Sequence, residues 1–239
     1  MNQRSGSLVE VRDHLDLAAS FPHGFRTVVF DCDSTLSEIE GINELAFEHR
    51  NEVEALTEAA MRGEIPLDAV YGRRLELIRP TRRDIDRIGA MYVERVVTDV
   101  ARTCDALMSA GVDVRVVSGG LLPAVLQLTR HLRIPDANVA AVDIYFDEAG
   151  NYAGFDTSSP LARSGGKPVL LESWLRGIER PVMMVGDGST DLEVAPIVDL
   201  FVAFAGVIAR ENVITAADVV VHAPSLWPIA SLALANAER

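Results

Sequence analysis

Thr27-Val28-Val29-Phe30-Asp31-Cys32-Asp33-Ser34-Thr35 decides the fold. Its first four residues form a short run without alternation, the pattern of a parallel strand buried on both faces. Asp31 falls at the carboxyl end of that run. Two later segments repeat the arrangement. Val112 to Val117 reads as a strand, interrupted by Asp113 and Arg115, that leads into Ser118-Gly119-Gly120; Val182 to Val185 leads into Gly186-Asp187-Gly188-Ser189-Thr190-Asp191. Leu200 to Phe204 and Val219 to Val221 are further strands. Strand and helix alternate with short connections, which predicts an α/β fold with a doubly wound parallel sheet covered on both faces. Ligands of such sheets bind beyond the carboxyl ends of the strands. Asp31, Ser118 and Asp187 are therefore expected to converge on one crevice.

Working outward, Met1 to Arg26 reads as a polar lead-in with one short helix, roughly Leu8 to Ala19. From Ile42 the period changes. Ile42, Leu45, Ala46, His49, Val53, Leu56 and Ala60 share one helical face, and Ile85, Ile88, Tyr92 and Val96 form a second stripe. Gly63, Pro66, Gly72 and Pro80 punctuate the stretch between them. Residues 43–97 thus read as a helical insert in a discontinuous core of residues 1–42 and 98–239. Val100, Cys104, Leu107 and Met108 mark a helix stopped by Gly111. Leu121 to Leu132 is another, with Pro123 near its first turn, where a missing N–H costs little. Val142 to Phe146 and Tyr152 to Phe155, joined by Asp147-Glu148-Ala149-Gly150-Asn151, read as a β-hairpin insertion over about residues 142–156. Val169 to Leu175 is helical.

Of the 239 residues 49% are hydrophobic and only 6% aromatic, so a sizeable core rests on Val, Leu, Ile and Ala. The 35 acids and 22 bases leave a net charge of −13, which repels nucleic-acid backbones and anionic lipid surfaces. Neither is an expected partner. No stretch is long and apolar enough to span a membrane, and the first residues lack an apolar signal region. Two cysteines, Cys32 and Cys104, make no disulfide framework, so a reducing cytosol is expected. Cys32, between two aspartates, reads as a small buried hydrophobe.

The chemistry resides in four separated segments. Asp-x-Asp at Asp31 and Asp33 can point two carboxylates to one side. One can attack phosphorus while the other gives and later takes a proton. Capping of a following helix is the structural alternative for Asp33 and Ser34. Asp187 and Asp191 straddle a strand-to-helix turn, and one or two carboxylates suffice for magnesium. Asp187 is assigned to direct ligation and Asp191 to a supporting or outer position. Lys167, after Gly165-Gly166, is no Walker lysine, because Leu161 and Pro168 stand where that motif needs Gly and Ser or Thr. Its ammonium offsets the repulsion between an anionic nucleophile and a phosphate, about 4 kcal/mol per charge pair at ~4 Å and an effective dielectric near 20. Ser118, with free backbone N–H groups behind it, makes an anion cradle or a helix cap. The five histidines show no ligand spacing, which argues against a zinc site or a His-based triad.

Taken together, Asp31-Cys32-Asp33-Ser34-Thr35, Ser118, Lys167 and Gly186-Asp187-Gly188-Ser189-Thr190-Asp191 resemble the four motifs of the haloacid dehalogenase superfamily. The similarity tightens to its phosphoserine phosphatase branch through Glu40-Gly41-Ile42-Asn43-Glu44-Leu45-Ala46, Ala60-Met61-Arg62-Gly63, Arg74-Leu75, Tyr152-Ala153-Gly154-Phe155-Asp156 and Ser164-Gly165-Gly166-Lys167. It runs from about Thr27 nearly to the C-terminus. The resemblance implies a Rossmann-like core with an inserted helical cap of the C1 type. It implies Asp31 as nucleophile and Asp33 as acid and base. The Asp31 carboxylate, the Asp33 carbonyl and Asp187 would hold Mg2+, and Ser118, Gly119 and Lys167 the phosphoryl group. Glu40, Met61, Arg74 and Thr190 would lie at the substrate, with Glu40 on its ammonium and Arg74 on its carboxylate. The implied activity is hydrolysis of O-phospho-L-serine, a small phosphomonoester. The alternatives are a methionine-salvage phosphatase or a phosphoserine:homoserine phosphotransferase on the same fold, and, in another class, a non-catalytic binding module. A second copy, as a homodimer, is the one macromolecular partner admitted. Two positions depart from the family pattern. Leu67 stands where Phe is usual on the cap. Arg62 stands where Gly or an acid is usual, which would add positive charge near the amino-acid end of the substrate.

Overall fold

The structure, a computed structural model, describes residues 8–13, 15–46, 50–62 and 64–234, and leaves the side chains of Met61, Leu67, Asp68 and Ala69 undescribed. Val9–Val11 (β1) and Leu17–Ser20 (α1) precede the strand Thr27–Phe30 (β2). Four helices follow: Gly41–Leu45 (α2), Arg50–Met61 (α3), Leu67–Ile78 (α4) and Arg82–Glu94 (α5). Val100–Ser109 (α6), Asp113–Leu121 (β3), Leu122–His131 (α7) and Val139–Val142 (β4) come next, then the hairpin Ile144–Phe146 (β5) and Tyr152–Phe155 (β6). Gly166–Leu175 (α8), Val182–Gly186 (β7), Ser189–Leu192 (α9), Leu200–Phe204 (β8), Glu211–Ala216 (α10), Val219–Val221 (β9) and Trp227–Leu234 (α11) complete the chain.

The main sheet has the order β1-β9-β8-β7-β2-β3-β4, parallel throughout except for β1. β2 lies between β3 and β7 and pairs with both along Thr27–Phe30. All four of its side chains are buried. Full burial of Val28, Val29 and Phe30 contributes roughly 1.5–3 kcal/mol each. From β2 the chain builds outward through β3 and β4, then returns to the other side and builds outward again through β7, β8 and β9. The reversal lies at β2 and β7, the place where an open α/β sheet leaves a crevice.

The sheet bears out the predicted fold class, with differences at the edges. The helix expected over Leu8–Ala19 is two elements. Val9–Val11 is a strand, because pairing with Val219–Val221 supplies hydrogen bonds that three residues cannot form alone. Only Leu17–Ser20 is helical, capped by Asp16. Val142 belongs not to the hairpin but to β4, an Ala-rich edge strand on β3 that the sequence reading missed. The strand expected to stop at Val117 runs on to Leu121, with a register shift against β4 between those two residues.

The stripe drawn from Ile42 to Ala60 falls on two helices, α2 and α3; His49 and Gly63 lie outside the described residues, as do His14 and residues 1–7. Val96 is beyond the end of α5 and bridges to Ser37. Ile85, Ile88 and Tyr92 are buried where α5 packs along α7. A Thr81–Asp84 capping box starts that helix. Cys32 and Cys104 are free, buried thiols. No helix among the described residues is long and apolar enough to cross a membrane.

Candidate active site

The carboxyl ends of β2 and β7 deliver Asp31 and Asp187 to one pocket. It is lined by Asp31, Asp33, Glu40, Arg74, Lys167 and Thr190, among others. Asp31 sits one residue past β2, its N–H held 2.9 Å from the Val185 carbonyl. Lys167, in the first turn of α8, reaches across with its Nζ 2.8 Å from Asp31 Oδ1 and 2.6 Å from Asp191 Oδ1. All three side chains are buried. Although burial works against the charge, Asp191 and Asp31 raise the Lys167 ammonium above its ordinary value, so it stays protonated.

Asp191 is held at both oxygens, because Oδ2 accepts the Gly188 N–H at 2.9 Å. Burial and Asp31 push its carboxyl up to about 7, with Lys167 opposing. Gly186 is required here: a Cβ on it would lie 2.2 Å from Asp191 Cγ. Asp187 Oδ1 accepts from the Thr35 hydroxyl at 3.3 Å. Its Oδ2 meets the buried guanidinium of Arg210, which also lies 3.6 Å from Glu40 and 3.2 Å from Glu58.

Asp33 occupies a different environment. Its Oδ1 accepts the Tyr92 hydroxyl and the Gly41 N–H, both at 2.6 Å. Its Oδ2 lies 3.4 Å from Ser118 Oγ. Burial, then Asp31, raise its carboxyl above the ordinary value, and the Gly41 and Tyr92 hydrogen bonds oppose them. The capping alternative thus holds in part: Asp33 satisfies the first N–H of α2 across seven intervening residues. Ser118 is no cap of α7, which starts after Leu121 without a side-chain cap. Its hydroxyl accepts the Gly120 N–H at 2.9 Å and turns toward Asp33.

At the helical side, Arg74 is buried, its NH1 2.8 Å from Thr57 Oγ1 and its guanidinium over the Tyr71 ring at 5.3 Å. Its Nε has no partner, and no carboxylate among the described residues pairs with it. Burial lowers its pKa, with Tyr71 and Glu40 opposing. A buried, unpaired guanidinium is costly unless something anionic meets it. Glu40 accepts from Ser34 Oγ at 2.7 Å, and burial and Asp33 push its carboxyl up to about 7 against the pull of Arg210.

The pocket thus gathers Asp31, Asp33, Gly119, Lys167, Asp187, Glu40, Arg74 and Thr190, with Asp191 directly behind Lys167 and Ser118 behind Asp33. The Met61 side chain lies outside the described residues, and so does that of Leu67. Arg62 is not at the pocket. It is exposed and pairs with Glu64 at 2.7 Å and Glu58 at 3.7 Å, so its charge is neutralised at the surface rather than added to the site. Sequence reasoning missed Tyr92, which it placed in a core stripe, and Arg210, a lone Arg in a connection, for which no motif gives a signal.

A carboxylate oxygen of each of Asp31, Asp187 and Asp191 lies within 4.8 Å of the others. Oxygen-only donors of this kind fit a hard divalent cation. Around them Asp33 and Glu40 add two further acids against Lys167, Arg74 and Arg210, which leaves room in the charge balance for such an ion.

Comparison with known proteins agrees with this geometry. The family model described as haloacid dehalogenase-like hydrolase matches residues 25–198. A phosphoserine phosphatase of Bos taurus is 36% identical over 189 residues, 78% of this chain and 84% of the relative. A chloroplastic phosphoserine phosphatase of Arabidopsis thaliana is 33% identical over 89% of this chain and 72% of its own. Among solved structures, a phosphoserine phosphohydrolase-like protein from Francisella tularensis superposes with a TM-score of 0.79 at 25% identity, over 87% of this chain and 99% of that one. The matched residues 25–198 hold β2 with Asp31 and Asp33, Lys167 and the Asp187–Asp191 turn, so the chain belongs to the haloacid dehalogenase-like hydrolases.

Proposed function

We propose that the protein is a magnesium-dependent phosphomonoesterase that works through an aspartyl-phosphate on Asp31 and hydrolyses O-phospho-L-serine. The observation that supports this most is a single pocket lined by Asp31, Asp33, Lys167 and Asp187 together with Glu40 and an Arg74 that has no carboxylate partner among the described residues. A substrate carrying a phosphate, an ammonium and a carboxylate matches those groups in charge. Arg74 takes the carboxylate, Glu40 the ammonium, and Lys167 with Ser118 and Gly119 the phosphoryl oxygens. Met61 and Thr190 complete the substrate set.

In the first half-reaction an Asp31 oxygen attacks phosphorus, the bond to the ester oxygen breaks, and that oxygen takes a proton from Asp33 to leave as an alcohol. In the second, water attacks the phosphorus, its proton passes to Asp33, and the bond to Asp31 breaks to release phosphate. The Asp31 and Asp187 carboxylates and the Asp33 carbonyl would hold magnesium, which would supply positive charge to offset that of the phosphoryl group. Lys167 supplies the rest from a position that requires no reorganisation. Residues 43–97 act as a cap over the core formed by 1–42 and 98–239, and exclude water while Asp31 attacks. Ser189 Oγ to the Ala60 carbonyl at 3.1 Å and Arg210 to Glu58 at 3.2 Å tie the two together. With both thiols free and buried, the reading also places the enzyme in a reducing cytosol.

A panel of phosphomonoesters with and without a chelator tests the proposal. Phosphoserine should turn over fastest, stop on chelation and recover with magnesium. Turnover of phosphoserine no faster than that of generic aryl phosphates would remove the substrate assignment.

A further inference from the structure

Tyr92 is the feature of this molecule that core packing accounts for least well. It sits on α5 with Ile85 and Ile88, fully buried, and its ring belongs to the same apolar layer. Its hydroxyl nevertheless reaches out of that layer to Asp33 Oδ1 at 2.6 Å. The backbone makes room for the contact: a Cβ at Gly41 would lie 2.1 Å from the Tyr92 hydroxyl oxygen. Gly41 in turn sends its own N–H to the same Asp33 oxygen, at 2.6 Å. Burial, then Asp33, raise the Tyr92 phenol well above its ordinary value, so it keeps its proton and donates.

Two donors on one oxygen make the two ends of this carboxyl inequivalent. Both lone-pair directions of Oδ1 are committed to short hydrogen bonds. Among the described residues, Oδ2 has only the Ser118 hydroxyl as a hydrogen-bond partner, and that contact is long, at 3.4 Å. A proton on Asp33 therefore rides on Oδ2, and the carboxyl plane is fixed by the pair at Oδ1. α5 is seated by its packing along α7.

We infer that Tyr92 is a positioning residue for the acid and base of this site, which with Gly41 restricts proton transfer to Asp33 Oδ2. The inference rests on the phosphatase reading above. In the first half-reaction the ester oxygen that departs from phosphorus receives the proton carried on Oδ2. In the second, Oδ2 takes a proton from the water whose oxygen bonds to phosphorus. Asp33 ends as it began, and the sum is ester plus water to alcohol plus phosphate. Tyr92 exchanges no proton in either step. It keeps the orientation in which Oδ2 meets the ester oxygen.

The dependence on leaving group distinguishes this role from a structural one. An alkoxide needs the proton; p-nitrophenolate leaves without it. In Tyr92→Phe, kcat on an alkyl phosphate such as phosphoserine should fall by about tenfold or more, a fraction of what general acid catalysis supplies. KM should move little, and kcat on p-nitrophenyl phosphate should stay within about threefold. Equal losses on the two substrates, or no loss on either, would overturn the inference while leaving the phosphatase reading in place. A wild-type protein that hydrolyses neither ester would overturn both. If Tyr92→Phe does not fold, 3-fluorotyrosine placed at position 92 keeps the ring and changes only the strength of the donor. A change in the ratio of the two rates then supports the inference, and an unchanged ratio contradicts it.

Discussion

Lys167→Met removes one charge and keeps the length of the side chain, and its consequences follow from two distances. The ammonium lies 2.8 Å from Asp31 Oδ1 and 2.6 Å from Asp191 Oδ1, all three groups being buried. At an effective dielectric near 20 each contact is a gross attraction of roughly 6 kcal/mol. Most of that is cancelled by the cost of burying the three charges. Deleting one partner exposes this cost, and breaking a buried pair destabilises by about 3–5 kcal/mol. In a chain of this size that is a fall in Tm of roughly 6–20 °C. Asp191 can relieve part of it by taking up a proton, since burial and Asp31 already push its carboxyl up to about 7. A cation that binds among Asp31, Asp187 and Asp191 relieves more. Thermal unfolding of wild type and Lys167→Met, each with chelator and with millimolar magnesium, should therefore show a large deficit without the ion and a smaller one with it. Turnover should fall by about 10²–10³, the usual loss when one stabiliser of developing charge is removed. A deficit under 1 kcal/mol that is the same with and without magnesium would refute the idea that Lys167 balances the acid cluster.

Three further outcomes are expected. Arg74→Ala should raise KM for phosphoserine by about 10- to 100-fold, the worth of a charge-assisted hydrogen bond, and barely change hydrolysis of p-nitrophenyl phosphate; equal effects on both would mean that Arg74 does not read a carboxylate. Gly186→Ala drives a Cβ into Asp191, so it should cost more than about 2 kcal/mol in urea unfolding and weaken turnover through Lys167; a variant as stable and active as wild type would contradict that packing. Burial pushes the Cys104 thiol up to about 12, and Cys32 is raised still more clearly by burial and its aspartate neighbours. The native protein should therefore leave both thiols unreacted with a disulfide reagent at pH 8 and release two on denaturation, whereas rapid native labelling would contradict their burial.

The sheet was legible wherever a strand is apolar on both faces and ends in a polar turn. β2 and β7 have that form, and so the convergence of Asp31 and Asp187 could be foreseen from position alone; β8 shares their apolar run. Strands that exist only through their partners were not legible. Val9–Val11 is only three residues long, too short for its alternation to stand out, and Val139–Val142 carries two alanines that any helix would accept. In the site, the groups with a distinctive neighbourhood in sequence, Asp31 with Asp33 and Asp187 with Asp191, were found. Tyr92 was hidden by its own periodicity, because the spacing with Ile85 and Ile88 that buries its ring says nothing of where its hydroxyl goes. Arg210 was hidden for the opposite reason: it belongs to no pattern, and only the return of the chain after β8 brings it to Asp187 and Glu40. Arg62 shows the converse error. A charge that looks pertinent by sequence position is spent on Glu58 and Glu64 at the surface.

Covalent capture of phosphorus by Asp31 is best tested by rapid acid quench of the enzyme during turnover of phosphoserine, followed by peptide mass analysis. The expected result is a phosphoryl increment on the peptide that contains Asp31, lost on treatment with hydroxylamine and absent from Asp31→Asn, which should also be inactive. Sustained turnover by Asp31→Asn, or an increment carried by any other residue, would contradict it.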